Sequence, residues 1–282
     1  MHPGSGPSDR DNDVFFPPIR EHLLDAGVAV CSFDKRGVGG STGRWEEAGI
    51  VEQADDLLAC LHELVGHPDL GSIGIFGHSQ GGWVVIDAAG RVDPGTAFAV
   101  TSSGPGVTPA VQERYSAARR LERAGASQAE LDAALRDFDL VVELMQRRAP
   151  FDVARRRIED DAIGERGLPF LPDDAGVWDH ACSIIDYDPR PALARIRVPL
   201  LALFGREDNV VPVDESVAVF RAAVRPDLLT VAVLPGDHRV QSGDPPATST
   251  RYLEALSSFV GRRSTREALR GGIGAGSRRA GR

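Results

Sequence analysis

The chain has 282 residues, 42% of them hydrophobic and 26% charged, with a formal net charge of −9. That length suits one large domain or a domain with an insertion, and either buries a sizeable core. An acidic balance argues against a general nucleic-acid binder, which needs clustered Lys and Arg, and no apolar run approaches the ~18–20 residues of a membrane span.

Pro18 to Leu24 reads as a short helix, and Gly27 to Phe33 as a buried strand because Val28, Ala29, Val30 and Phe33 are apolar. A loop by composition follows, Asp34-Lys35-Arg36-Gly37-Val38-Gly39-Gly40-Ser41. Val51 to Val65 is a helix whose buried stripe is Leu57, Leu61 and Leu64. Ser72 to Phe76 is a strand, Gln80 to Gly90 a helix and Ala97 to Thr101 a strand. From about Thr108 to Asp188 the pattern turns helical, with Ser127-Gln128-Ala129-Glu130 as a capping box opening one helix. Strands resume at Pro199 to Phe204 and Leu229 to Leu234, with helices at Glu215 to Val224 and Thr248 to Val260. Alternating strand and helix predict an α/β fold, its parallel sheet covered on both faces. The organisation expected is a core over 1–104, a helical cap over 105–190, a second core part over 191–262 and a disordered Gly- and Arg-rich tail over 263–282.

Gly77-His78-Ser79-Gln80-Gly81 matches G-x-S-x-G directly after an apolar strand and directly before a helix, which exposes a serine hydroxyl on a strained turn. A serine hydroxyl at neutral pH is a poor nucleophile. It needs a base to remove its proton and a carboxylate to hold that base in the right tautomer. The strand Leu200–Phe204 runs into Gly205-Arg206-Glu207-Asp208, and the strand ending at Leu234 runs into Pro235-Gly236-Asp237-His238. Both ends fall at the carboxyl edge of a parallel sheet, in the chain order Ser, Asp, His. Singly, His238 reads as a surface histidine and Asp208 as a helix cap; Glu207 and Asp237 are local rivals for the acid role. Donors for an oxyanion are the amide of Gln80, next to the nucleophile, and that of Ser5 in Gly4-Ser5-Gly6, whose alternative role is a flexible N-terminal end.

Together, GSGPSDRD, DKRGVGGSTG, GHSQGG, FGREDNVVP and LPGDHRV resemble the α/β-hydrolase superfamily, and within it the bacterial esterase and serine-aminopeptidase-like group with a GSGP-x-DRD oxyanion loop. The resemblance spans roughly Pro3 to Val260. It implies the nucleophile Ser79, the base His238, the acid Asp208, oxyanion donors Ser5 and Gln80, a nucleophile elbow framed by Gly77, His78 and Gly81, and a cap at Thr108 to Asp188. In that family the oxyanion loop follows a strand lying in the middle of the sheet. Here only Met1 and His2 precede it, so the segments from Gly27 and from Ser72 are expected to lack the neighbour that joins them, and translation is expected to start upstream.

Other motifs carry less. In His62-Glu63-Leu64-Val65-Gly66-His67 the second histidine falls at i+5 and leaves the helix face a zinc site requires, so no metal is expected. Arg36 is expected to hold its own turn by hydrogen bonds. Lys35 is the only lysine among 32 Lys and Arg residues, a bias of source. Cys31, Cys60 and Cys182 are too scattered for a disulfide framework and read as reduced, buried thiols. MHPGSGPSDRD lacks the basic and apolar regions of a signal peptide, which gives a cytoplasmic expectation. Trp83, Phe138, Met145 and Trp178 are candidates for an acyl pocket, although core packing is the commoner role. The expected activity is cofactor-free serine hydrolysis of a small carboxylic ester or thioester, carboxylesterase-like. The alternatives are a peptidase or amidase of the same fold, or an inactive hydrolase-fold binding protein.

Overall fold

The computed structural model describes residues 1–12, 15–92, 96–161, 163 and 174–273, with side chains described as far as position 262. After an extended loop, α1 (Phe16–Asp25) opens with prolines in its first turn, where their missing N–H groups cost nothing, and buries Phe16, Ile19 and Leu23. Helix α2 (Ile50–Leu64) buries Ile50, Ala54, Leu57 and Leu61, one stripe at helical spacing. Strand β1 (Ile73–His78), α3 (Gln80–Ala89) and β2 (Thr96–Ser102) follow. Helices α4 (Pro109–Arg123), α5 (Gln128–Gln146), α6 (Phe151–Asp160), α7 (Ala175–Ile184) and α8 (Arg190–Arg195) come next. Then come β3 (Leu200–Gly205), α9 (Val213–Ala223), β4 (Leu229–Leu234) and α10 (Thr250–Ile273).

The strands pair in parallel in the order β1-β2-β3-β4. Strand β3 shows why both faces are covered. Leu200, Ala202 and Phe204 enter a cluster with Ala54, Val84, Val85 and Phe220, from α2, α3 and α9; Leu201 and Leu203 enter another with Phe16, Ile19, Tyr252 and Phe259, from α1 and α10. An all-apolar strand thus divides its side chains between two helical layers, and each large one buried contributes roughly 1.5–3 kcal/mol. A third cluster, holding Val141, Met145, Ala154, Trp178 and Ile185, lies within α5–α7 and the segments beside them. The capping box of Ser127 and Glu130 forms as its sequence predicts.

Three expectations are corrected. The stretch from Gly27 to Phe33 is no strand: among the described residues, its backbone bonds are those of Gly27 N to Leu24 O and Val28 N to Leu23 O, both 2.9 Å, and of the Met1 amine to Cys31 O, 2.6 Å. Between it and β1 lies a cavity of about 480 Å³, lined by Val28, Val30, Cys31, Cys60, Ile73 and Ile75 among others. Residues 1 and 2 cross one end of that gap, since His2 N donates to Phe76 O and His78 N to His2 O, a single parallel rung opposite Gly77. Without a neighbour, an apolar β-like sequence has no ladder to join. The final helix also outruns Val260, staying helical through Gly261 to Ile273 where a structureless tail was expected; Arg266, Glu267, Ala268, Leu269 and Arg270 are good helix formers. Residues 274–282 lie outside the described residues. Finally, Cys182 is buried as expected, whereas Cys60 is half-buried and Cys31 exposed, both beside the gap; all three thiols are free.

Candidate active site

Ser79 stands alone between the last residue of β1 and the first of α3, at φ 54° and ψ −120°, a conformation costing a side-chain-bearing residue ~1–3 kcal/mol. The turn around it is too tight for side chains at the flanking glycines. A Cβ on Gly77 would sit 1.9 Å from Gly81 O, and one on Gly81 2.5 Å from the carbonyl oxygens of His2 and Pro3. Ser79 N donates to Ser102 O on β2 at 2.9 Å, which ties the strained residue to the sheet.

Asp208 follows β3 and is buried, 4% exposed. Its Oδ1 accepts from the amides of Val210 and Val211 at 2.8 and 2.9 Å, and Oδ2 lies 2.8 Å from His238 Nδ1. His238 Nε2 lies 2.9 Å from Ser79 Oγ. A carboxylate only accepts, so Nδ1 carries the proton toward Asp208 and Nε2 is left to accept the serine hydroxyl. The rival acids are engaged elsewhere: Glu207 accepts from Gly236 N at 2.5 Å, and Asp237 Oδ1 from Arg239 N and Gln241 N.

His78 is buried against Phe15, their rings stacked 3.8 Å apart, and burial pushes its imidazole well below its ordinary range, with the nearby His238 adding to the effect. It therefore stays neutral under the site. Gln80 opens α3, so its amide belongs to the first turn, which has no acceptor within the helix, and the carbonyl four residues earlier, Phe76 O, accepts from His2 N. Gly4 passes against Ser79: a Cβ there would be 3.4 Å from Ser79 Cβ. The segment from Gly4 to Arg10 is pinned. Arg10 donates to Asp34 through its backbone amide and guanidinium, holding the Asp34 carboxyl well below the usual carboxylate range; Lys35 N donates to Ser8 O, and Lys35 Nζ to Gly4 O and Gly6 O.

Sequence reasoning missed several residues. Tyr115 Oη donates to Asp208 O at 3.0 Å and Gln112 Nε2 to Val210 O at 3.0 Å, so α4 braces the acid loop. Glu113, between them, has its carboxyl pushed up by burial. These partners lie 93 and 98 residues away in sequence, and no local pattern signals them. Arg36 does not bond its own turn but reaches α2, with Nε and Nη2 on the two oxygens of Asp56. Trp83, Phe138, Met145 and Trp178 are all buried core residues; the indoles of Trp83 and Trp178 donate to Val107 O and Ala149 O.

The pattern of the alpha/beta hydrolase fold family matches residues 3–245. The chain belongs to that family. It is 24% identical to the AB hydrolase superfamily protein YisY of Bacillus subtilis (strain 168), over 78% of this chain and 79% of that one. It is also 24% identical to the mitochondrial palmitoyl-protein thioesterase ABHD10 of Rattus norvegicus, over 79% of this chain but 63% of that protein's length. Among solved structures it superposes on the Pyrococcus furiosus esterase Pf2001 with a TM-score of 0.58, at 18% identity, covering 93% of this chain and 80% of the other. No helix among the described residues is long and apolar enough to cross a membrane. Among those residues, too, no group of three or more His, Cys, Asp and Glu side chains is arranged to hold a metal ion.

Proposed function

We propose that this hydrolase cleaves a small carboxylic ester or thioester through an acyl-enzyme, using Ser79 as nucleophile, His238 as general base and Asp208 as the carboxylate that orients it. The observation that carries the reading is the continuous path from Ser79 Oγ to His238 Nε2, 2.9 Å, and from Nδ1 to Asp208 Oδ2, 2.8 Å. As Oγ attacks the carbonyl carbon, its proton passes to Nε2, and the imidazolium formed faces a buried carboxylate already held by two amides. The amides of Gln80 and Ser5 receive the tetrahedral oxyanion, each donor being worth about 10²–10³ in kcat. His238 returns the proton to the leaving alcohol or thiol. Water, deprotonated by the same imidazole, then releases the acid.

Helices α4 to α7 are read as a cap over this site, because Tyr115 and Gln112 of α4 brace the acid loop. Labelling by a fluorophosphonate tests the mechanism. The folded chain should label and Ser79→Ala should not; turnover of chromogenic acyl esters should vanish with the same substitution. A folded wild-type protein that neither labels nor turns over any ester would overturn the reading in favour of a binding role.

A further inference from the structure

Lys35 is 5% exposed, and no carboxylate partners it among the described residues. A buried ammonium without a counter-ion is costly unless its donors are occupied. Here they meet backbone: Nζ donates to Gly4 O at 2.5 Å and Gly6 O at 3.1 Å. Of the 32 Lys and Arg residues it is the one lysine, and its compact ammonium stands between two converging carbonyls.

The consequence follows from peptide geometry. The Gly4 carbonyl shares a planar trans unit with the Ser5 N–H, and in such a unit C=O and N–H point in opposite directions. A lysine that holds the Gly4 oxygen on its own side therefore turns the Ser5 N–H to the other side. The second carbonyl held, that of Gly6, belongs to a unit ending in Pro7, which has no N–H. The double grip thus aims one donor, that of Ser5, in a loop whose Gly4 lies against Ser79.

We propose that Lys35 is the positioning residue of the oxyanion loop, fixing the Gly4–Ser5 peptide plane so that the Ser5 amide faces the oxygen of the attacked carbonyl. The proposal rests on the reading of Ser79 and Ser5 given above, and it assigns Lys35 no contact with substrate.

Two measurements separate the two claims. In a crystal structure of Lys35→Met, the Gly4–Ser5 peptide should be rotated or split between orientations, with Ser79, His238 and Asp208 in place; a peptide unchanged from wild type overturns the proposal whatever the activity. In kinetics, Lys35→Met should lower kcat for a small ester by about 10- to 100-fold with KM within about twofold, approaching the loss of one oxyanion donor. Lys35→Arg should recover part of that, and a kcat for Lys35→Met within twofold of wild type also overturns the proposal. If wild type shows no Ser79-dependent labelling, the acyl-enzyme reading fails while the crystal measurement still decides the grip. Should Lys35→Met not fold, Lys35→Gln, too short to span both carbonyls, is judged by the same two measurements.

Discussion

Two apolar segments lead into buried aspartates, and only one of them is a strand. Strand β3 is paired on both sides, to β2 and to β4, and delivers Asp208 to His238. The segment from Val28 to Phe33 is as apolar but has a cavity on one side, and delivers Asp34 to Arg10 and to the amide of Gly40. The contrast teaches that apolar sequence licenses a strand while a neighbour makes one. It also shows two similar carboxylates facing different partners: an imidazole that can change charge, or a guanidinium that never does.

The sharpest break between the halves is chemical. Asp208→Asn should lower kcat by about 10⁴, because the wrong imidazole tautomer then faces Ser79, with little change in melting temperature. Asp34→Asn should cost far less in kcat, its effect passing through a loosened loop at Gly4 to Arg10; steady-state kinetics beside thermal melts compares them. Hydrogen exchange reads the ladders directly. Amides of Ala99 to Thr101 should exchange at least ~10³-fold more slowly than those of Ala29 to Cys31, which carry no ladder bonds; equal protection would mean the second segment is paired in solution. In packing, Leu203→Ala removes a fully buried side chain and should cost about 2–5 kcal/mol by denaturant unfolding, whereas Val30→Ala, half-buried beside the cavity, should cost under about 1 kcal/mol.

The smallest effect expected is that of pH on Lys35, whose ammonium burial pushes down to about 7. Around it stand His2 from the first residues, His180 from α7, both kept largely uncharged by burial, and the Arg36–Asp56 pair, which with His2 and Lys35 lines a small recess separate from the gap beside β1. A lowered lysine value means the folded chain loses this proton before the unfolded one does. The cost of burying the charge is therefore fully present below pH 7 and fades as pH rises toward 10.5. Above pH 7 the grip on Gly4 and Gly6 weakens to that of a neutral amine, so kcat should fall ~2- to 5-fold between pH 7 and 9, and Lys35→Arg should flatten that limb.

Much of this was legible in the sequence. Strand β4 is found at Leu229 to Leu234, where the sequence predicts it, α5 begins at its capping box, and Ser79, Asp208 and His238, which the structure brings together, could be chosen because each follows an apolar strand at its carboxyl end. What could not be read depends on partners remote in the chain. Whether Val28 to Phe33 pairs is decided by what lies beside it, and Lys35 meets Gly4 across 31 residues, a contact no spacing rule announces. Sequence composition even drew attention away from Lys35, since a lone lysine among arginines reads as bias until its surroundings are seen.

The gap beside β1 carries a practical consequence for anyone handling the protein. It places two thiols on the walls of an apolar recess, Cys31 open to solvent and Cys60 half-covered, while Cys182 is enclosed elsewhere. Maleimide should modify position 31 first, 60 next and 182 only on unfolding, so the order of mass additions is a built-in gauge of whether that recess stands open. The same recess should hold hydrophobic dyes in the native state, and melting curves followed by such dyes should start from a raised baseline.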